Sequence, residues 1–205
     1  PINGFKGYRE LPKGLEAQDF NILNPNSKLY YIPAFLYSAG VAYSQNPSCV
    51  IATQADKEKH FSVADSGGFQ FMNGSFAIAG NKDGVELISK WQANVNASIA
   101  MPLDVPTALI NMPEHPQYNT LKDCLAPSAD NMQRFLNCES QMPLFNILHG
   151  HNRKDQEIWY RVMRKFMKNH PDRVQGWSFP STPFGAYQCD WGNVLYRICR
   201  IIQDG

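Results

Sequence analysis

Charge of one sign is what this sequence has least of: 19 Lys and Arg stand against 18 Asp and Glu, a formal net charge of +1 at pH 7. A basic surface that grips nucleic acid over the whole molecule is therefore excluded, and any such contact has to rest on a local patch. Long apolar runs are also missing. No stretch of about eighteen consecutive apolar residues occurs, and the first residues lack a charged-then-apolar leader pattern, so no membrane partner is expected. The cysteines are few and odd in number: Cys49, Cys124, Cys138, Cys189 and Cys199 lie far apart. That spacing supplies neither a disulfide framework nor a clustered zinc motif, and it points to a reducing, cytoplasmic compartment. What is present is a globular composition, 43% apolar over 205 residues with 12 Phe, enough for one core and one domain.

Residues 1–27 are rich in Asn, Gly, Pro and Lys without periodicity and read as an irregular lead-in. Six apolar runs then follow at intervals: 29–38 (LYYIPAFLYS), 49–53 (CVIAT), 61–64, 97–103 (ASIAMPL), 143–148 (PLFNIL) and 173–179 (RVQGWSF). Their β-branched and aromatic content, bounded by Gly, Pro or Asn, predicts buried strands. Between them, helical spacing predicts helices over 84–95, over roughly 115–138 with a break at Pro127, over 155–168 and over about 188–202. In the third of these, Ile158, Trp159, Val162, Met163, Phe166 and Met167 make the apolar face. Arg161, Arg164, Lys165 and Lys168 make a basic one, which could track phosphates but whose ordinary role is a solvated surface. Trp91, Trp159 and Trp191 are expected in the core, and His60, His115 and His170 at the surface. Strands alternating with helices predict a parallel α/β sheet.

The stretch 61–72, FSVADSGGFQFM, has the composition of a site. An apolar run stops at Asp65, Ser66, Gly67 and Gly68, so a strand delivers a carboxylate, a hydroxyl and bare backbone amides to one rim. A carboxylate at the end of a buried strand is costly unless it has a partner or a task. The same grammar recurs: the run 97–103 ends in Asp104, and the run 143–148 ends in His149, Gly150 and His151. Reactive residues after successive strands suit a (β/α)₈ barrel, whose sites lie at the carboxyl ends of the strands. An open doubly wound sheet is the competitor, with its ligand at a switch point.

ADSGGFQ at 64–70, SIAMPLDVPT at 98–107 and NILHG at 146–150, in that order and spacing, resemble the tRNA-guanine transglycosylase superfamily. The likeness spans roughly residues 28–203. It implies an α/β fold of the TIM-type (β/α)₈ barrel over 28–205, with about six of the eight strands in this chain. It further implies that Asp65 is the acid/base carboxylate beside the scissile glycosidic bond, that Ser66 bonds the bound base, that Gly67, Gly68 and Gln70 bind the substrate beside it, and that Phe69 stacks on the purine. Asp104 would accept from the N1 and N2 protons of guanine. His149 and Gly150 match a Gln-Gly pair that contacts the base carbonyl, and Gly176 with Trp177 falls where the family has two glycines on the pocket floor.

The implied activity is a pentosyltransferase reaction: guanine in a polynucleotide is exchanged for a 7-deazaguanine base of the preQ0/preQ1 type through a covalent Asp-glycosyl intermediate. The family nucleophile follows the eighth strand and is expected past Gly205, as is any structural zinc site; residues 1–205 imply no cofactor or metal. The first strand is similar to that of the branch that inserts 7-deazaguanine into DNA in phages and bacterial genomic islands. DNA is thus favoured over tRNA as the nucleic-acid partner, with an expected home in a bacterial or phage-infected cell. Queuine- or archaeosine-type tRNA exchange stays open. So do a non-catalytic nucleic-acid-binding partner subunit, a homo-oligomer, and a metal-dependent TIM-barrel hydrolase using His149 and His151 with the two aspartates.

Overall fold

The computed structural model describes residues 13–45, 58–74, 83–180 and 191–204. Five strands form one parallel sheet: β1 (Ala34–Ser38), β2 (Phe61–Asp65), β3 (Ile99–Ala100), β4 (Leu144–Ile147) and β5 (Val174–Ser178). The helices are α1 (Ala39–Gln45), α2 (Gly68–Met72), α3 (Gly84–Asn94), α4 (Leu121–Asn137), α5 (Arg153–Asn169) and α6 (Trp191–Gln203). Spatial order equals chain order, β1-β2-β3-β4-β5. Among the described residues the sheet therefore has no switch point of the doubly wound kind. With the usual right-handed crossovers, α3, α4 and α5 line up side by side, each packed on the next.

The core lies between that helix layer and one face of the sheet. Ala64, Ala100, Leu144 and Val174 meet Ile88 and Trp91 of α3, Met132 and Phe135 of α4, and Trp159 and Met163 of α5. Fully burying a side chain such as Phe135 or Ile88 stabilises by about 1.5–3 kcal/mol, so this seam holds the strands in register. Polar clips add to it. Asn146 Nδ2 donates to Met163 O at 3.0 Å and Trp159 Nε1 to Ile147 O at 2.7 Å, fastening α5 to β4. On the opposite face of the sheet, Leu36 and Phe61 are 56% and 50% exposed. Among the described residues the five strands do not close into a barrel.

Several expectations are corrected here. Five of the six apolar runs contain strands; the sixth, 49–53, lies outside the described residues. The first strand starts at Ala34 instead of Leu29, because the amides of Leu29 and Tyr30 turn to Ser27 Oγ and Ile32 N goes to Ile22 O, while Pro33 has no N–H to give a ladder. Pro127 does not break its helix. Residues 121–137 run on as α4, started by a capping box between Thr120 and Asp123, with one ladder bond lost and a buried face of Cys124, Leu125, Ser128, Met132 and Phe135 retained. On α5 the buried face is Gln156, Trp159, Tyr160 and Met163, and Ile158 is 42% exposed. Trp91 and Trp159 are core, as expected, whereas the Trp191 side chain lies outside the described residues. His60 is buried, its Nε2 donating to Leu23 O at 2.9 Å.

Candidate active site

Three strand ends build one concavity. Paired strand residues share a face, so the register Leu36↔Val63, Ser38↔Asp65 and Ile147↔Ser178 aligns one side of the sheet. Leu36, Asp65, Ile147 and Ser178 from that side, together with Asp104, His149 and Gly150 from the loops beyond, line a cavity of about 500 Å³. The two aspartates and the histidine predicted from the strand-end pattern therefore come together.

Asp65 closes β2. Its Oδ2 accepts from Gly67 N at 3.0 Å. Burial pushes its carboxyl pKa above the usual carboxylate range and the charge of Asp104 adds to this, while a hydrogen bond from Ser38 and the amides of Gly67 and Ser66 pull the other way. Asp104 sits in a loop, not on a strand, since β3 is only two residues long. The loop is fixed by its neighbours. Gln92 Nε2, buried on α3, donates to Ala64 O at 3.0 Å and Met101 O at 2.8 Å. Val105 N donates to Ser128 Oγ of α4 at 2.8 Å. Asp104, 8% exposed as a residue, is hydrogen-bonded through its carboxylate Oδ2 to His149 Nε2. His149 in turn lies edge-on to Trp159, ring centroids 4.9 Å apart.

Gly150 turns the chain into α5 with φ +142°, and a Cβ there would lie 2.6 Å from Gln156 N. Only glycine suits both demands. Its carbonyl accepts from Arg197 Nη2 at 3.3 Å, and Arg197, 5% exposed on α6, lines the cavity. His151 Nε2 donates to Thr107 O at 2.6 Å, so the two histidines of the H-x-H pair serve different partners. Among the described residues no group of three His, Cys, Asp or Glu converges as a metal site.

The rest of the expected site is distributed differently. Gly68 lines the cavity, and a Cβ on it would meet Asp104 Oδ1 at 3.4 Å. Gly67 contributes its amide to Asp65. Ser66 is fully buried, its Oγ has no partner among the described residues, and it does not line the cavity. Gln70 points to β1, its Oε1 3.1 Å from Ser38 Oγ. The Phe69 side chain lies outside the described residues. Gly176 and Trp177 do not form the floor: Phe145 fills the space over Gly176, 2.7 Å from where a Cβ would stand, and Trp177 stacks on Tyr160 of α5 at 5.0 Å. Ser178, Phe179 and Pro180 take that place on the wall. An irregularity in the pairing between Val174 and Gly176 reverses the alternation of β5, so that Val174 and Trp177 both face the helices while Ser178 faces the cavity, and a plain two-residue count from Val174 would have placed Ser178 wrongly. Gln92 had a signal, a long polar residue four after Ile88 on a face that carries Val85, Ile88 and Trp91. Arg197 had none.

The basic residues of α5 sit outside the cavity lining and are engaged in ion pairs in part: Arg164 Nη1 meets Asp204 at 2.8 Å and Arg161 Nε meets Glu157 at 3.6 Å.

In class this is an α/β chain with a two-carboxylate, one-imidazole cavity at the carboxyl ends of parallel strands. No protein-family model, curated protein or solved structure matches it. No helix among the described residues is long and apolar enough to cross a membrane.

Proposed function

We propose that the chain is the catalytic part of a base-exchanging transglycosylase, which replaces guanine in a polynucleotide, DNA in preference to tRNA, by a 7-deazaguanine base. The observation that carries the reading is the meeting of Asp65, Asp104 and His149, from the ends of three consecutive strands, around one cavity. On this reading the five strands are an arc of an eight-stranded barrel, consistent with their sequential order and with the exposed apolar residues on the inner face.

The chemistry follows from the groups. A carboxyl group whose pKa is raised by burial holds a proton near neutrality more readily than an ordinary one, which suits Asp65 to giving a proton to the departing guanine and taking one from the incoming base. Asp104 supplies acceptors for N1–H and the N2 amine, the adjacent donors that only guanine-type edges offer. A carboxylate nucleophile, which the resemblance implies after an eighth strand, would hold the sugar between the two half-reactions.

The test is exchange of labelled guanine in duplex DNA and in tRNA by the full-length protein. Asp65→Ala and Asp104→Asn should each abolish incorporation, and duplex DNA should take up more label than tRNA. Undiminished exchange by both variants refutes the site.

A further inference from the structure

We propose that Arg197 decides which 7-substituent the cavity accepts: it admits an uncharged, electron-rich group such as a nitrile and refuses an aminomethyl group, which is a cation at neutral pH. The inference rests on the base-exchange reading of the same cavity and narrows the substrate class within it. Arg197 is buried on α6 while Leu195 and Ile198 of the same helix are exposed, the reverse of the usual order on a helix. A cation taken out of water is costly unless it has partners or a task.

Two acceptors aim the side chain. Gly150 O accepts from Nη2 at 3.3 Å. The Gln156 amide, buried on α5 and oriented by its hydrogen bonds, presents Oε1 to Nη2 at 2.9 Å and to Nε at 3.1 Å. Both acceptors are neutral, so they fix the guanidinium in the cavity wall without cancelling its charge.

On the base-exchange reading Asp104 takes N1–H and N2–H. The 6-oxo group comes next along the rim of the base, and the 7-position after it. The wall runs in a matching series: Asp104 is bonded to His149, Gly150 follows in the chain, and Arg197 is bonded to Gly150. With the carbonyl on the side of the 149–150 turn, as the likeness implies, the 7-substituent comes to Arg197. A guanidinium has five donors, no acceptor and a charge it never loses. Whatever meets it from the cavity has to bring an electron pair. A nitrile nitrogen does so, whereas an ammonium brings more donors and a like charge. The carboxylates are the groups that would favour an ammonium, but Asp104 already faces His149 and the base edge, and burial disposes Asp65 to keep a proton.

The experiment is calorimetric titration of the intact protein at neutral pH with 7-deazaguanine, its 7-cyano derivative and its 7-aminomethyl derivative. The wild type should bind the cyano base at least as tightly as the unsubstituted parent, and the aminomethyl base about ten- to a hundredfold more weakly than the parent. In Arg197→Met, which removes the charge and keeps an unbranched side chain, that penalty should shrink to less than about threefold. Arg197→Lys should retain it. An aminomethyl base bound by the wild type as tightly as the parent overturns the proposal and leaves the base-exchange reading standing. A penalty that survives in Arg197→Met, or an equal loss there for all three bases, also overturns it, the second outcome marking Arg197 as merely structural. Should Arg197→Met fail to fold, the wild-type order together with Arg197→Lys decides. Failure of the wild type to bind any of the three overturns the base-exchange reading itself, and the inference with it.

Discussion

Gly150→Ala is the substitution from which the site has most to lose, and the cost can be assembled from two parts. The backbone at Gly150 has φ +142°, a conformation in which a non-glycine residue is strained by about 1–3 kcal/mol. The new Cβ would also stand 2.6 Å from Gln156 N and 3.0 Å from Asp155 C. These are backbone atoms in the first turn of α5, not the end of a side chain that can swing away. Moving them adds the usual overpacking cost of about 1–3 kcal/mol, for a total of about 2–6 kcal/mol. Gly14 isolates the first part, since its φ is +89° but nothing lies within 4 Å of its would-be Cβ; Gly14→Ala should cost only about 1–2 kcal/mol. In urea unfolding, with a slope of about 2 kcal/mol per molar denaturant, the midpoint should fall by about 1–3 M for Gly150→Ala and by about 0.5–1 M for Gly14→Ala. Base binding should fall in step, because the Gly150 carbonyl holds Arg197 and the preceding residue is His149. Equal midpoints for the two variants would mean that the turn relaxes freely, and the argument that it fixes His149 would be lost.

Asp65 gives a prediction with a defined sign. Its folded-state pKa is raised, so between the unfolded value, about pH 4, and the folded one the native state keeps a proton that the unfolded chain releases, and stability declines as pH rises through that window. Asp65→Asn should therefore match the wild type below about pH 4 and gain on it at higher pH, by about 1.4 kcal/mol per unit of separation between the two values. Chemical unfolding across pH checks this; a difference that does not change with pH refutes it. Gln92→Leu should cost about 1–3 kcal/mol, since Met101 O loses its donor while Ala64 O keeps its bond from Met101 N. An unfolding midpoint within experimental error of the wild type would remove Gln92 from the account of the loop.

The strand ends were legible because a buried parallel strand is a run of apolar residues and its end is where polar ones begin; Asp65, Asp104 and His149 mark three such ends. Side-chain direction was less so. Gly176–Trp177 looked like a pocket floor by position in the likeness, yet the irregular pairing of β5 with β4 between Val174 and Gly176 turns Trp177 to the helices and leaves Phe145 over Gly176. Gln70 sits inside the most specific motif and faces Ser38 instead of the cavity. A motif fixes which residues travel together, while the local backbone fixes where each one points. Arg197 reaches the cavity from α6, about fifty residues after His149 in the chain, and no local pattern encodes such a meeting. His60 was read as a surface residue because its strand neighbours are known only in three dimensions.

The shortness of β3 carries its own consequence. The apolar run 97–103 contains only two ladder residues, so the segment that bears Asp104 lacks the backbone bonds that would hold an ordinary strand end. Its place is taken by side chains from the neighbouring units: Gln92 of α3 on Met101, Ser128 of α4 on Val105, His149 on Asp104 and His151 on Thr107. Each bond comes from a different point on the helix layer or the β4 loop. The position of the carboxylate is thus a sum over those contacts, and none of them alone sets it. A loop fixed in this way tolerates the loss of one clip with a small displacement, but a displacement of Asp104 moves the acceptor edge relative to Asp65, which is anchored separately by its own strand and by Gly67. Substitutions at Gln92 or Ser128 should for that reason weaken base binding more than their effect on stability alone would suggest.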